Sequence, residues 1–212
     1  MKLQQYARIE TELNKKYISK NPLVVFLNNH FLSTISSLVK SVESARILDI
    51  GCGEGIVAHF LIKRLCINAS QIVGLDIERN CLKIAKGINP ELQFFQASIY
   101  ELPFHDNSFD LVLGLEVLEH LQFPHRAIGE LARVSKDWVI VSVPNDRMFR
   151  LGNMIRFRYL SSWGNTPDHI QHWNKNTFTH LTSKYLDVCK IKNPFLLWLV
   201  FLCHKKKKGD RY

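Results

Sequence analysis

A chain of 212 residues, 46% hydrophobic and 22% charged, has ordinary globular composition and room for one domain with a full core, or one domain plus a small cap. Its five cysteines are odd in number and form no C-x-x-C pair, which argues against a disulfide framework and for thiols in a reduced compartment. The net charge of +9 suits either plain solubility or an acidic partner: nucleic acid, anionic membrane or anionic substrate.

Leu3, Tyr6, Ile9, Leu13 and Tyr17 fall at helical spacing, after a start (Met1-Lys2-Leu3) that is not a signal peptide. Asn21-Pro22 interrupts and restarts the helix, with Asn21 as N-cap and Pro22 in the first turn. The second helix carries Val24, Leu27, Phe31, Ile35, Leu38 and Val42 on one stripe. Residues 1–43 are thus read as N-terminal helices, either capping a site or simply packing. The longest apolar run, Phe195 to Cys203, is nine residues, short of a membrane span. The expectation is a cytoplasmic protein with no transmembrane segment.

Next comes Arg46-Ile-Leu-Asp-Ile-Gly-Cys-Gly-Glu-Gly-Ile56: a short buried strand, a glycine turn, and the apolar start of a helix. Glycine lets backbone approach a ligand without an intervening Cβ, and the helix start offers free N–H groups. A dinucleotide turn needs G-x-G-x-x-G, whose third glycine would fall at Ile56, so that ligand does not fit. The pattern present, D-x-G-x-G-x-G from Asp49 to Gly55, resembles the first motif of the class I S-adenosylmethionine (SAM) methyltransferases. That resemblance implies that Gly51, Cys52, Gly53 and Gly55 meet the methionine tail of SAM. It also implies that Asp49 orders the loop or reaches the tail's ammonium through water.

The second strand, Gln71 to Asp76, ends on an acid. In doubly wound folds such an acid receives the ribose hydroxyls, with Ile77 beside it; the other use of Asp76 is to cap the helix that follows. The third strand is Leu92 to Ala97. Leu102-Pro-Phe104, then Asp106-Asn-Ser-Phe-Asp110, then the strand Leu111 to Leu115 closely resemble the type 11 branch of that family, over residues 40–205. The resemblance implies an α/β fold: a doubly wound, mostly parallel seven-stranded sheet with an antiparallel last strand, Rossmann-like, over residues 44–204. It also implies adenine contacts at Ser98, where the family commonly has Asp, and at Ile99, and contacts to the methionine part at Leu115 and Glu116.

Glu116, Glu119 and His120 would share one face of a helix, and two carboxylates beside an imidazole can hold a divalent cation. The motif resembles the E-x-x-E-H of small-RNA 2′-O-methyltransferases and ubiquinone-pathway O-methyltransferases, whose later histidine would here be His169. Many type 11 enzymes carry a similar E-V-L-E-H without a metal, so a metal role for Glu116, Glu119, His120 and His169 stays one of two readings. His120, His169 and His172 are the candidates for deprotonating an acceptor. A helix from Pro124 to Val134 and a strand from Trp138 to Val143 follow. N-P-P-[YF] is absent, which weighs against methylation of base amino groups. Residues 147–173 mix Arg147, Arg150, Arg156 and Arg158 with aromatics and read as an acceptor-facing insert, suited to RNA, phosphate or lipid headgroups, or as an amphipathic lid. A helix from Lys175 to Lys184 and two closing strands, Tyr185 to Lys192 and Phe195 to Cys203, complete the domain. Residues 205–212 form a basic tail.

The expected activity is methyl transfer from SAM to an oxygen of a small-molecule acceptor. The competing readings are an RNA 2′-O-methyltransferase with a Glu/Glu/His metal site and a catalytically silent SAM-fold binding subunit. Acceptor identity and oligomeric state are not legible in the sequence.

Overall fold

The computed structural model describes residues 21–146, 148 and 169–206. The helix expected over residues 3–18, most of the 147–173 insert and the end of the basic tail lie outside them. The strands form a seven-stranded sheet in the order β3-β2-β1-β4-β5-β7-β6, mixed and mostly parallel as expected. Their ranges follow within the two compact units of the chain, Met1–Pro103 and Phe104–Tyr212.

The first unit begins with α1 (Pro22–Lys40), capped by Asn21, whose side chain accepts from the Leu23 N–H at 2.9 Å. Its buried residues Phe31, Leu32, Ile35, Leu38 and Val39 recur at helical spacing and pack it on α2 (Ile56–Leu65). An 18-residue window of α1 has a mean hydropathy of 1.3, so by length and composition alone the helix could cross a membrane, although 39% of that window is buried within the protein. The expectation from the sequence concerned uninterrupted apolar runs, which α1 is not. Asn28, Asn29 and His30 break the apolar run, so no continuous stretch marks it, but the average over the helix still passes. β1 (Ile47–Ile50) and β2 (Ile72–Asp76) pair in parallel from Ile47↔Ile72 to Ile50↔Leu75. β1 is buried throughout, which is why it reads as an apolar run, broken only by Asp49, rather than an alternating one. β3 (Gln93–Gln96) pairs in parallel with β2, and α3 (Arg79–Ile88) links the two.

In the second unit β4 (Phe109–Leu115) and β5 (Ser135–Pro144) are parallel neighbours joined through α4 (Pro124–Val134). After α5 (Lys175–Ser183) come β6 (Leu186–Lys192) and β7 (Trp198–Lys205). β7 is antiparallel to both β5 and β6, the expected inversion of the last strand. The carboxyl ends of β4, β5 and β6 therefore share one edge, where Trp198 opens β7 opposite Pro144. The core beneath holds tilted rings: Trp173 against Phe178 at 5.4 Å and Phe178 against Phe201 at 4.7 Å. Lys205 closes the far end, its Nζ donating to Asn107 Oδ1 and to the carbonyls of Arg133 and Ser135.

Candidate functional site

The glycine loop of the first unit follows β1 and is tied to the end of β2. Gly51 and Cys52 N–H groups both donate to the Leu75 carbonyl, at 2.7 and 3.0 Å. Gly53 N–H donates to Asp76 Oδ2 at 2.8 Å, while Asp76 Oδ1 accepts from Glu78 N–H at 2.9 Å. Asp76 thus both latches the loop and steadies the start of α3. Gly51, Gly53 and Gly55 all have positive φ, at 66°, 52° and 72°. A Cβ built at Gly53 would meet nothing within 4 Å, so the loop turns an uncovered backbone outward. At Gly55 the reason differs. A Cβ there would stand 2.8 Å from Asn89 Nδ2 and 3.1 Å from the Ala85 Cβ. Asn89 is buried, donates to the Gly55 carbonyl and meets His59 Nδ1 at 3.0 Å. The sequence marks Asn89-Pro90 as a helix stop, and Asn89 does cap α3; its second task, bracing the glycine loop, leaves no sequence signal.

Asp49 sits beneath this loop with 2% of its surface exposed and its Oδ2 without a hydrogen-bond partner. Burial, reinforced by the charge of Asp76, pushes its carboxyl up to about 7. Cys52 is raised too, by burial and then by Asp49 and Asp76, so its thiol stays protonated and is no nucleophile. Because the folded state holds the Asp49 proton more tightly than the unfolded chain, stability from this group is greatest in acid. It falls as pH rises from the ordinary carboxyl range through about 7. The loss is on the order of 4 kcal/mol. Asp49→Asn should therefore flatten the decline in melting temperature between acid and mildly alkaline pH, and equal slopes in variant and wild type would contradict this.

At the next strand end Ile77 is exposed, and its carbonyl accepts from Gln96 Nε2. Ala97 N–H donates to the Asp76 carbonyl, which sets Ser98 and Ile99 beside the acid. Ser98 Oγ accepts from Tyr100 N–H, and Ile99 is buried. The structure thus gathers Asp49, Gly51, Cys52, Gly53, Gly55, Asp76, Ile77, Ser98 and Ile99 at the carboxyl ends of β1 to β3, the edge where open α/β sheets bind ligands. An open glycine backbone, a buried acid with an unpartnered oxygen and a strand-end carboxylate fit an amino acid joined to a nucleoside.

The second unit has its own cluster at the carboxyl edge of β4 and β5. Leu115 is buried. Glu116, next along, has φ +57°, a left-handed conformation that costs a non-glycine residue roughly 1–2 kcal/mol. It is held there by its partners. Glu116 N–H donates to the Ser142 carbonyl, Oε1 accepts from Ser142 Oγ, and Oε2 accepts from Trp198 Nε1 at 2.9 Å. The expected shared helical face does not form. The helical turn covers only Leu118–His120, and the left-handed kink sets Glu116 apart from it. Glu119, His120 and His169 do converge, with ligand-type atoms all within 4.8 Å of one another and the two imidazoles edge-to-face at 5.0 Å. They could hold a cation; Glu116 is not in that group. Glu119 is 1% exposed, and its carbonyl accepts from both Ile170 and Gln171 N–H, strapping the histidine segment to the turn.

His172 lies apart from this trio. Its Nδ1 is 2.9 Å from Asp146 Oδ1, and Asp146 N–H donates to the Trp173 carbonyl. A carboxylate at Nδ1 fixes the tautomer and leaves Nε2 as the basic nitrogen. Sequence reasoning found His172 but missed Asp146, Ser142 and Trp198. Only the place of Asp146, just past a strand end, could have signalled it.

Residues 48–141 match the family described as methyltransferase domain. A probable S-adenosylmethionine-dependent methyltransferase of Mycobacterium tuberculosis is 30% identical over 143 residues, covering 66% of this chain and 47% of that protein. A ubiquinone biosynthesis O-methyltransferase of Alkalilimnicola ehrlichii is 31% identical over 110 residues, covering 50% and 43%. The chain spans about half the length of these curated relatives. Among solved structures, a protein of Pyrococcus horikoshii shares the fold with a TM-score of 0.71 at 17% identity, covering 95% of this chain and 99% of that one.

Proposed function

Since this chain belongs to the class I methyltransferases of type 11, whose cofactor is S-adenosylmethionine, we propose that it methylates an oxygen of a small-molecule acceptor. The cofactor supplies a methyl group already activated by its sulfonium. The protein's part is alignment, exclusion of water and removal of the acceptor proton.

In this reading the backbone of Gly51, Cys52, Gly53 and Gly55 receives the amino-acid tail, with Asp49 beneath it. Asp76 takes the ribose hydroxyls, a role a carboxylate fills by accepting from both at once. Ile77, Ser98 and Ile99 flank the adenine. Glu116, locked by Ser142 and Trp198, shapes the wall at the end of β4.

The observation that carries the choice of an oxygen acceptor is the Asp146–His172 pair at 2.9 Å. A hydroxyl must lose its proton as it attacks, and an imidazole oriented by a carboxylate is built to take it. His120 and His169 stand as a second imidazole pair that would orient the acceptor. The name of the ubiquinone-pathway relative is consistent with oxygen methylation.

The test is transfer of tritiated methyl from SAM into extracts fractionated into small molecules, lipid, RNA and protein. Label should enter low-molecular-weight acceptors as an O-methyl group. His172→Ala should lower that rate by about 100-fold while leaving SAM affinity unchanged. Label confined to RNA or protein, or a His172→Ala rate within twofold of wild type, would overturn the proposal.

A further inference from the structure

We propose that the turn between β6 and β7 is a docking tip that seats the carboxyl edge of the second unit on an anionic lipid surface. The turn, Pro194–Leu196, exposes two large apolar side chains in succession, Phe195 at 45% and Leu196 at 55%. Both are left-handed, with φ of 50° and 60°. Glycine or asparagine takes that conformation with little strain, so a turn whose only task is to reverse the chain has no use for phenylalanine and leucine there. Asn145 holds the shape: its Nδ2 donates to the Leu196 carbonyl at 2.9 Å and its N–H to the Leu197 carbonyl at 2.8 Å. On the same edge Ile170 is 55% exposed, bonded through its N–H to Glu119 past the end of β4.

Charge completes the surface. Lys190 and Lys192, two residues apart and exposed, run along β6 to the turn. β6 is the outer strand of the sheet, where lysines also deter strand pairing, but that accounts for the lysines and not for the apolar tip. The chain as a whole carries a net charge of +9. Apolar side chains flanked by basic ones match the headgroup boundary of an anionic bilayer, where the former enter the acyl region and the latter face phosphate. RNA would also attract the charge, but it is gripped by stacking on aromatic faces, and of the three exposed apolar side chains only Phe195 offers one.

The surface stands independently of methyl transfer, so it can fail while the family assignment and the proposed activity hold. The test is sedimentation of the full chain with vesicles of phosphatidylcholine, with and without phosphatidylglycerol. The double variant Phe195→Asn/Leu196→Gly serves as comparison. It removes apolar surface and left-handed strain together, so it should fold at least as well as wild type, and unchanged SAM affinity checks that it does. Wild type should sediment with the anionic vesicles and be released by high salt, and the double variant should bind about tenfold more weakly. Three results would overturn the proposal: no binding of wild type to anionic vesicles, equal binding by the double variant, or displacement from vesicles by a single-stranded RNA that binds the chain more tightly.

Discussion

Asp76→Ala should raise the dissociation constant for S-adenosylmethionine by about 100-fold, because charge-assisted hydrogen bonds are worth roughly 1.5–3 kcal/mol each and each decade of affinity about 1.4 kcal/mol. In the proposed complex the carboxylate accepts from both ribose hydroxyls. In the structure it accepts from Gly53 N–H and Glu78 N–H, so the substitution also unlatches the glycine loop. Asp76→Asn separates the two contributions. It can keep one acceptor oxygen but loses the charge, and should fall between alanine and wild type in titration calorimetry. Unaltered affinity in Asp76→Ala would contradict the ribose assignment.

Gly55→Ala should cost about 3 kcal/mol of stability, read as a lower urea midpoint with an unchanged slope. One part is the left-handed backbone, with φ at 72°. The rest comes from Asn89, whose Nδ2 would lie 2.8 Å from the new methyl. To relieve that contact the buried amide must give up its bond to the Gly55 carbonyl and its partner His59. Gly53→Ala carries the same kind of backbone strain but meets nothing within 4 Å, so it should cost less stability. Equal losses at the two positions would remove Asn89 from the account.

The two glycines also show how far sequence reading reaches. Strand, turn and helix were legible from Ile47 to Leu65 because a buried parallel strand is mostly apolar, here interrupted only by Asp49, and glycine spacing discriminates between ligands. The closing hairpin was legible too, since Asn193-Pro194 divides two runs of strand-forming residues, but its second strand starts at Trp198 rather than Phe195 because Phe195 and Leu196 are taken up by the left-handed turn. What the sequence concealed were contacts between residues far apart in the chain. Trp198 reaches Glu116, 82 residues earlier, Asn89 braces Gly55 across 34, and Asp146 orients His172 across 26. None of these leaves a local period or spacing. The kink at Glu116 was hidden for the same reason. Its neighbours suggest a helix, but hydrogen bonds from Ser142 and Trp198 hold it in a conformation that local preference disfavours.

The most direct test of the central claim is a crystal grown with S-adenosylhomocysteine, the demethylated product, which binds without turning over. The account predicts its amino-acid tail against the backbone of Gly51 to Gly55 and its ribose hydroxyls on the Asp76 carboxylate. Product bound elsewhere, with the Asp76–Gly53 bond intact and the loop backbone facing solvent, would contradict it.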